Sequence, residues 1–236
     1  MKNGYGALKI LRYVSLLTVL IFGLITIVGT AGDNGGGPKS STINGNAVKG
    51  PISGGTVQLF YFDATGGEVE ILADNAPVTT DTSGAYSFEI DPANLEGITG
   101  PFIVRITGGM TDGQSAPQLE ALIADSSTLS QGGSTVTTHL SVASSIAAGL
   151  LKKQALQAGT SPSTADANAC IAKVETELDL DLTDDPGTQG TGVAYANELV
   201  DLNLDLPDNN NVVDDLIDYL VANLSSTSGA LDNNVD

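Results

Sequence analysis

Short segments of alternating apolar and polar residues, separated by turn residues, constrain this fold more than any other feature of the sequence. In TVQLFYF (56–62), Val57, Leu59 and Tyr61 occupy every second position, and PFIVRITGG (101–109) repeats this alternation. A period of two is typical of strands that bury one face. Because short strands joined by glycine-rich turns are typical of two packed antiparallel sheets, the sequence predicts a β-sandwich.

The segment TTDTSGAYSFEI (79–90) predicts a turn with defined chemistry. Asp81 can accept hydrogen bonds from backbone N–H groups two residues later, and Gly84 tolerates the positive φ that tight turns need. The aromatic residues after the turn alternate with polar ones, as in a returning strand. We therefore expect a β-hairpin here, and a further pair of short strands at 118–125 and 134–139.

The strand predicted at 101–109 has two different faces. Phe102, Val104 and Ile106 share one of them, because side chains alternate across a strand. Arg105 lies on the other face, so we expect it to point toward solvent or toward an acidic neighbour.

The hydrophobic period changes in the second half of the chain. Apolar residues in 137–159 recur at steps of three and four, which is typical of an amphipathic helix, and Gly159 is a typical helix stop. The segment 161–180 begins with Ser-Pro and polar cap candidates and predicts a second helix. Two more helices are predicted at 191–204 and 210–224.

The N-terminus has the pattern of an export signal. Lys2, Lys9 and Arg12 precede an uncharged stretch over 13–32, and small residues follow, so we expect cleavage after Ala31. The alternative is an uncleaved membrane anchor with its basic end in the cytoplasm, because the stretch matches the ~20 residues of a membrane span. Both interpretations predict an exported protein, located in the periplasm, at the cell surface or outside the cell.

Four parts are therefore predicted along the chain. Residues 1–31 form a signal peptide or anchor, and residues 32–41, rich in glycine and serine, form a linker. The β-sandwich occupies 42–136. A small all-α helical domain follows over 137–236.

The charge of the chain limits its partners. It contains 28 Asp and Glu residues against nine Lys and Arg residues, a net charge of −19. Such a protein repels nucleic acid and anionic membrane surfaces. We expect no nucleic-acid partner, and membrane contact only through the N-terminal segment if it is not cleaved.

Few residues suit catalysis. His139 is the only histidine; Ser141 lies nearby, but no serine has a Gly-x-Ser-x-Gly context. We expect His139 to lie at the entry to a helix, and Cys170, the only cysteine, to be a buried structural thiol. One His and one Cys cannot close a zinc site without carboxylate ligands. We predict no catalytic, cofactor-binding or metal-binding residues.

Calcium is the open alternative. The segments 179–190 and 205–215 are rich in carboxylate and amide oxygens. A calcium-binding loop of the EF-hand type requires glycine at position 6 and a bidentate carboxylate ligand at position 12. Counted from Asp205, these positions hold Asn210 and Leu216, so the spacing fails.

Three segments together resemble the carboxypeptidase regulatory-like domain, a transthyretin-like sandwich of Greek-key type. They are NGNAVKGPISGGTVQLFYF (44–62), TTDTSGAYSFEI (79–90) and GPFIVRITGG (100–109). The resemblance covers about residues 42–109. The residues that match the family pattern are Gly45, Val48, Gly50, Gly55–Leu59, Thr80, Asp81, Gly84, Tyr86 and Phe88. The resemblance implies a non-catalytic accessory or adhesion module and transfers no enzymatic residue.

The expected function is that of a non-catalytic, exported cell-envelope or surface protein of bacteria. It acts as a structural or binding module whose partner is a protein, a glycan or another copy of itself. The alternatives are a calcium-dependent adhesin, an extracellular filament subunit and, with the least support, a hydrolase.

Overall fold

The computed structural model contains mostly β-sheet, together with a few helices. It describes residues 39–186, Asp218 and residues 220–222, all within one compact unit, Pro38–Asp236. The strands are β1 (Ser41–Asn46), β2 (Thr56–Phe62), β3 (Glu68–Ile71), β4 (Val78–Thr79), β5 (Ala85–Ile90), β6 (Phe102–Thr107), β7 (Met110–Thr111), β8 (Gln114–Ser115), β9 (Leu119–Ile123) and β10 (Thr135–Thr137). The helices are α1 (Val142–Ala158) and α2 (Thr164–Leu178), with 3₁₀ turns at Pro92–Leu95 and Leu129–Gln131.

Two open sheets organise the strands. The smaller sheet has the order β10-β1-β5, in which β1 runs parallel to β10 and antiparallel to β5. The larger sheet has the order β3-β2-β6-β9 with β4 also paired to β2, and it is entirely antiparallel. Strands β7 and β8 form a separate short pair.

The strands predicted from alternation line the core, but burial on β6 does not strictly alternate, because Ile103 on its other face is 0% exposed as well. The strands predicted at 56–62 and within 101–109 are confirmed as β2 and β6. Phe88 and Ile90 of the smaller sheet and Val104 and Ile106 of the larger sheet are almost completely buried, and they belong to one hydrophobic core. Both sheets are therefore stabilised by the same apolar interior.

The turn predicted around Asp81 forms, but the predicted hairpin does not. The Asp81 carboxylate accepts from the backbone N–H of Ser83 at 2.7 Å and of Ala85 at 3.0 Å, and Gly84 has a φ of +83°. However, β4 pairs with β2 in the larger sheet while β5 pairs with β1 in the smaller one. Turn chemistry reverses the chain direction, but it does not decide which strand each flank pairs with.

The pair of strands expected at 118–125 and 134–139 needs the same correction. Both strands exist, as β9 and β10. They do not pair with each other: β9 joins β6, whereas β10 joins β1 in the other sheet.

Both predicted helices of the described region are confirmed, and each begins with a capping box. The Ser141 side chain accepts from the Ser144 N–H at the start of α1, and Ser163 and Asp166 cap α2 in the same way. Helix α1 ends at Ala158 and is capped by Gly159, which has a φ of +64°.

The later predicted helices lie largely outside the described residues. All of 191–204 falls outside them. Within 210–224, Asp218 and residues 220–222 are described and are helical, with Leu220 and Val221 buried. No helix among the described residues is long and apolar enough to cross a membrane.

Helix α1 is bonded directly to the larger sheet. The Ser144 hydroxyl donates to the Glu120 carbonyl oxygen on β9 at 2.6 Å, and the Glu120 N–H donates to the Ser145 hydroxyl at 2.8 Å.

The division between a sandwich over 42–136 and a helical domain over 137–236 stays a prediction. The N-terminal boundaries also stay predictions, because most of them precede the described residues.

Candidate functional site

A charged cluster, formed by Glu68, Arg105, Glu120 and Lys152, lies where α1 crosses the larger sheet. Arg105 on β6 stands opposite Glu120 on β9 in the antiparallel register, and its Nε donates to Glu120 Oε1 at 2.5 Å. Its Nη2 donates to Glu68 Oε2 on β3 at 2.6 Å. From α1, Lys152 Nζ lies 2.6 Å from Glu120 Oε2. The expectation that Arg105 faces an acidic neighbour is confirmed.

The cluster is partly removed from water. Only 5% of the Glu120 side chain and 14% of the Arg105 side chain are exposed, and buried charges need such pairing. Burial works against the charge of Arg105, but its bonds to Glu68 and Glu120 outweigh that effect and raise the pKa of the guanidinium. The guanidinium also stacks on Phe60, 4.3 Å from the ring centroid.

A cavity opens beside this cluster. It has a volume of about 620 Å³ and lies between β9, α1 and the helical residues near 220. Gln118, Glu120, Lys152, Leu156 and Val221 are among its lining residues. The cluster forms part of its polar wall, and the cavity is therefore the candidate binding site.

His139 lies at the junction between β10 and α1, two residues before the helix cap, as predicted. Its Nδ1 accepts from the Asn46 N–H at 3.2 Å and lies 3.8 Å from Asp185 Oδ1. Asn46 in turn donates its side-chain amide to Asp185 at 2.8 Å. Ser141, the residue considered as its partner, caps α1. These contacts tie β1 to the chain after α2.

Cys170 is a buried thiol, as predicted. It is 8% exposed, and its Sγ lies 3.8 Å from Gln154 Oε1. Burial, assisted by the negative charge of Asp166, raises the thiol pKa to about 11. The reactive thiolate form is therefore scarce at neutral pH.

A second turn repeats the chemistry of Asp81. The Asp63 carboxylate accepts from the N–H groups of Thr65 at 2.8 Å and Gly67 at 2.9 Å. We did not predict this turn, although DATGG (63–67) and DTSGA (81–85) share the pattern Asp-x-Ser/Thr-Gly. That repeated pattern was the available signal.

The candidate calcium segments lie only partly within the described residues, because 187–190 and 205–215 fall outside them. In the described part, the Asp181 carboxylate accepts from the N–H and hydroxyl of Thr183 at 2.8 and 2.6 Å. Among the described residues, no three or more His, Cys, Asp or Glu side chains are grouped so that they could hold a metal ion.

No protein-family model matches this chain, and no curated protein matches it.

Proposed function

We propose that this chain is a non-catalytic, exported binding module of the bacterial envelope or cell surface. One observation carries the proposal: two enclosed charged groups, Arg105 and Glu120, are bonded to each other across the sheet. Lys152 occupies the second Glu120 oxygen. Charges paired in this way join the sheet to the helix, whereas an acid–base catalyst needs a group that is available to exchange a proton with substrate.

We further propose that the two sheets form a sandwich of the carboxypeptidase regulatory-like type. Two residues that match the family pattern support it. A side chain at Gly45 would overlap the Thr138 carbonyl oxygen, which also accepts from the Tyr86 hydroxyl at 2.6 Å. A Cβ on Gly84 would lie 2.6 Å from the Ala47 carbonyl oxygen. Glycine at both positions lets neighbouring backbone segments approach closely.

Export is supported by the sequence of residues 1–31. The positive charges of Lys2, Lys9 and Arg12 precede an uncharged stretch, and the acidic residues all follow it. An acidic module is suited to remaining soluble at a surface.

The test has an export arm and a binding arm. The full chain with a C-terminal tag is expressed in a bacterial host, cells are fractionated, and the mature mass is measured. We expect an exported product, beginning at Gly32 if the signal is cleaved, and retention in the cytoplasm when Lys2, Lys9 and Arg12 are all replaced by Glu.

In the binding experiment, the purified chain is sedimented with isolated envelope material. A cytoplasmic product, or a chain that does not sediment with envelopes or self-associate, contradicts the proposal.

A further inference from the structure

The cavity beside the charged cluster has the size of a small-molecule site. Its volume is about 620 Å³, within the ~300–1,000 Å³ that is typical of ligand pockets. Glu120 of β9 and Gln118, just before that strand, form one side, and α1 forms another through Lys152 and Leu156. A ligand there contacts sheet and helix together.

Among the described residues, the charges that line the cavity balance one another: Glu120 and Asp218 are negative, and Lys152 and Lys153 are positive. Glu120 is bonded to both Arg105 and Lys152, at 2.5 and 2.6 Å. A charged ligand would have to compete with this enclosed network and would itself lose water. The wall therefore favours a ligand without net charge.

The hydrogen-bonding groups of the wall are mixed. Lys152 is an ammonium with three N–H donors, and the amides of Gln118 and Gln157 each carry donors and an acceptor. Gln118 donates one N–H to Glu120 Oε1 at 3.2 Å, which directs its amide toward the cluster. Hydroxyl groups match such a wall because each one both donates and accepts.

An apolar surface lies next to these polar groups. Leu156 lines the cavity and is 71% exposed, so its side chain is available for contact. Val221 lines it as well. Sugar rings combine hydroxyl edges with C–H faces, so one ring can use the polar wall and the leucine at the same time.

We propose that this cavity binds a short, uncharged oligosaccharide. The inference rests on the proposed function and names the ligand class of the binding module. Residues of β9 and α1 supply the site, and the ligand is recognised by its hydroxyl groups and C–H faces.

The test titrates the full chain with cellotriose, maltotriose and triacetylchitotriose, using calorimetry and saturation-transfer NMR. Trigalacturonic acid, of equal length but anionic, is the charge control. We expect at least one neutral trisaccharide to bind with a Kd of about 1 mM or tighter. Leu156→Ala is expected to weaken that binding by about tenfold, because it removes apolar contact area.

Leu72→Ala is the matched control variant, since Leu72 is 69% exposed and lies just after β3. It should leave the affinity unchanged, and both variants should unfold at the wild-type temperature. The inference is overturned if no neutral trisaccharide binds, if trigalacturonic acid binds more tightly, or if Leu156→Ala has no more effect than Leu72→Ala. If Leu156→Ala still sediments with envelope material as wild type does, the cavity is not the binding site although the proposed function stands.

Discussion

The guanidinium of Arg105 on β6 donates directly across the sheet to the carboxylate of Glu120 on β9, of which only 5% remains exposed. The same carboxylate receives Lys152 from α1. One carboxylate therefore connects two strands and a helix, and the polar wall of the cavity depends on it.

Replacing Arg105 with Met should destabilise the fold by about 3 kcal/mol, because the buried Glu120 carboxylate loses one of its two cationic partners. Lys152 stays bonded to Glu120 and limits the loss. Urea unfolding measures the change. The double variant Arg105→Met, Glu120→Met should recover most of it, since the buried carboxylate of Glu120 is gone and Lys152 still lies 4.0 Å from the more exposed Glu68. Glu70→Ala, at an exposed position of β3, is the control and should change stability by less than about 0.5 kcal/mol. A loss below about 1 kcal/mol in Arg105→Met would contradict a stabilising role for the pair.

Gly84→Ala should be more destabilising than Gly54→Ala. Both glycines have positive φ, +83° and +71°, which costs a residue with a side chain about 1–2 kcal/mol. A Cβ at Gly84 would also lie 2.6 Å from the Ala47 carbonyl oxygen, whereas nothing lies within 4 Å of one at Gly54. We expect about 1 kcal/mol for Gly54→Ala and about 3 kcal/mol or more for Gly84→Ala in urea unfolding. Equal losses would show that the close approach to Ala47 is unimportant.

Acid should weaken the turn that Asp81 closes. Hydrogen bonds from the Ser83 hydroxyl and then from the Ser83 and Ala85 N–H groups lower the Asp81 pKa below its ordinary value of 3.8. For a lowered pKa, the added stability is fully present above the ordinary value and is lost as the pH falls through the folded value. Asp81→Asn keeps an acceptor oxygen but cannot titrate. The thermal midpoints of wild type and variant should therefore converge as the pH falls below about 3.8, and a difference independent of pH would refute this account.

Cys170 should react slowly with thiol reagents in the folded protein. Burial raises its pKa to about 11, and the thiolate is the reacting species. Alkylation with iodoacetamide at about pH 8, followed by mass spectrometry, should proceed far more slowly than alkylation of glutathione. In urea the rate should rise to that of a free thiol. Rapid labelling of the folded chain would contradict the buried position.

The candidate site was predictable only in part. Alternation along β6 indicated that Arg105 lies on the face opposite Phe102, Val104 and Ile106, and an acidic neighbour was one of the two surroundings expected for it. The identities of Glu68, Glu120 and Lys152 were not predicted, because they lie on three other elements, 37, 15 and 47 residues away from Arg105 in the sequence.

The sequence by itself determined the features that depend on near neighbours. The period of two marked β2, β5 and β6, the period of three to four marked α1 and α2, and local hydrogen bonds defined the Asp81 turn and the helix ends. Tertiary structure alone decided that β4 and β5 enter different sheets and that β10 runs parallel to β1. It also decided that α1 meets Glu120. Strand pairing and helix docking join distant segments, so which strands pair and where a helix docks depends on how the whole core packs. Turns and hydrophobic periods depend on residues only a few positions apart.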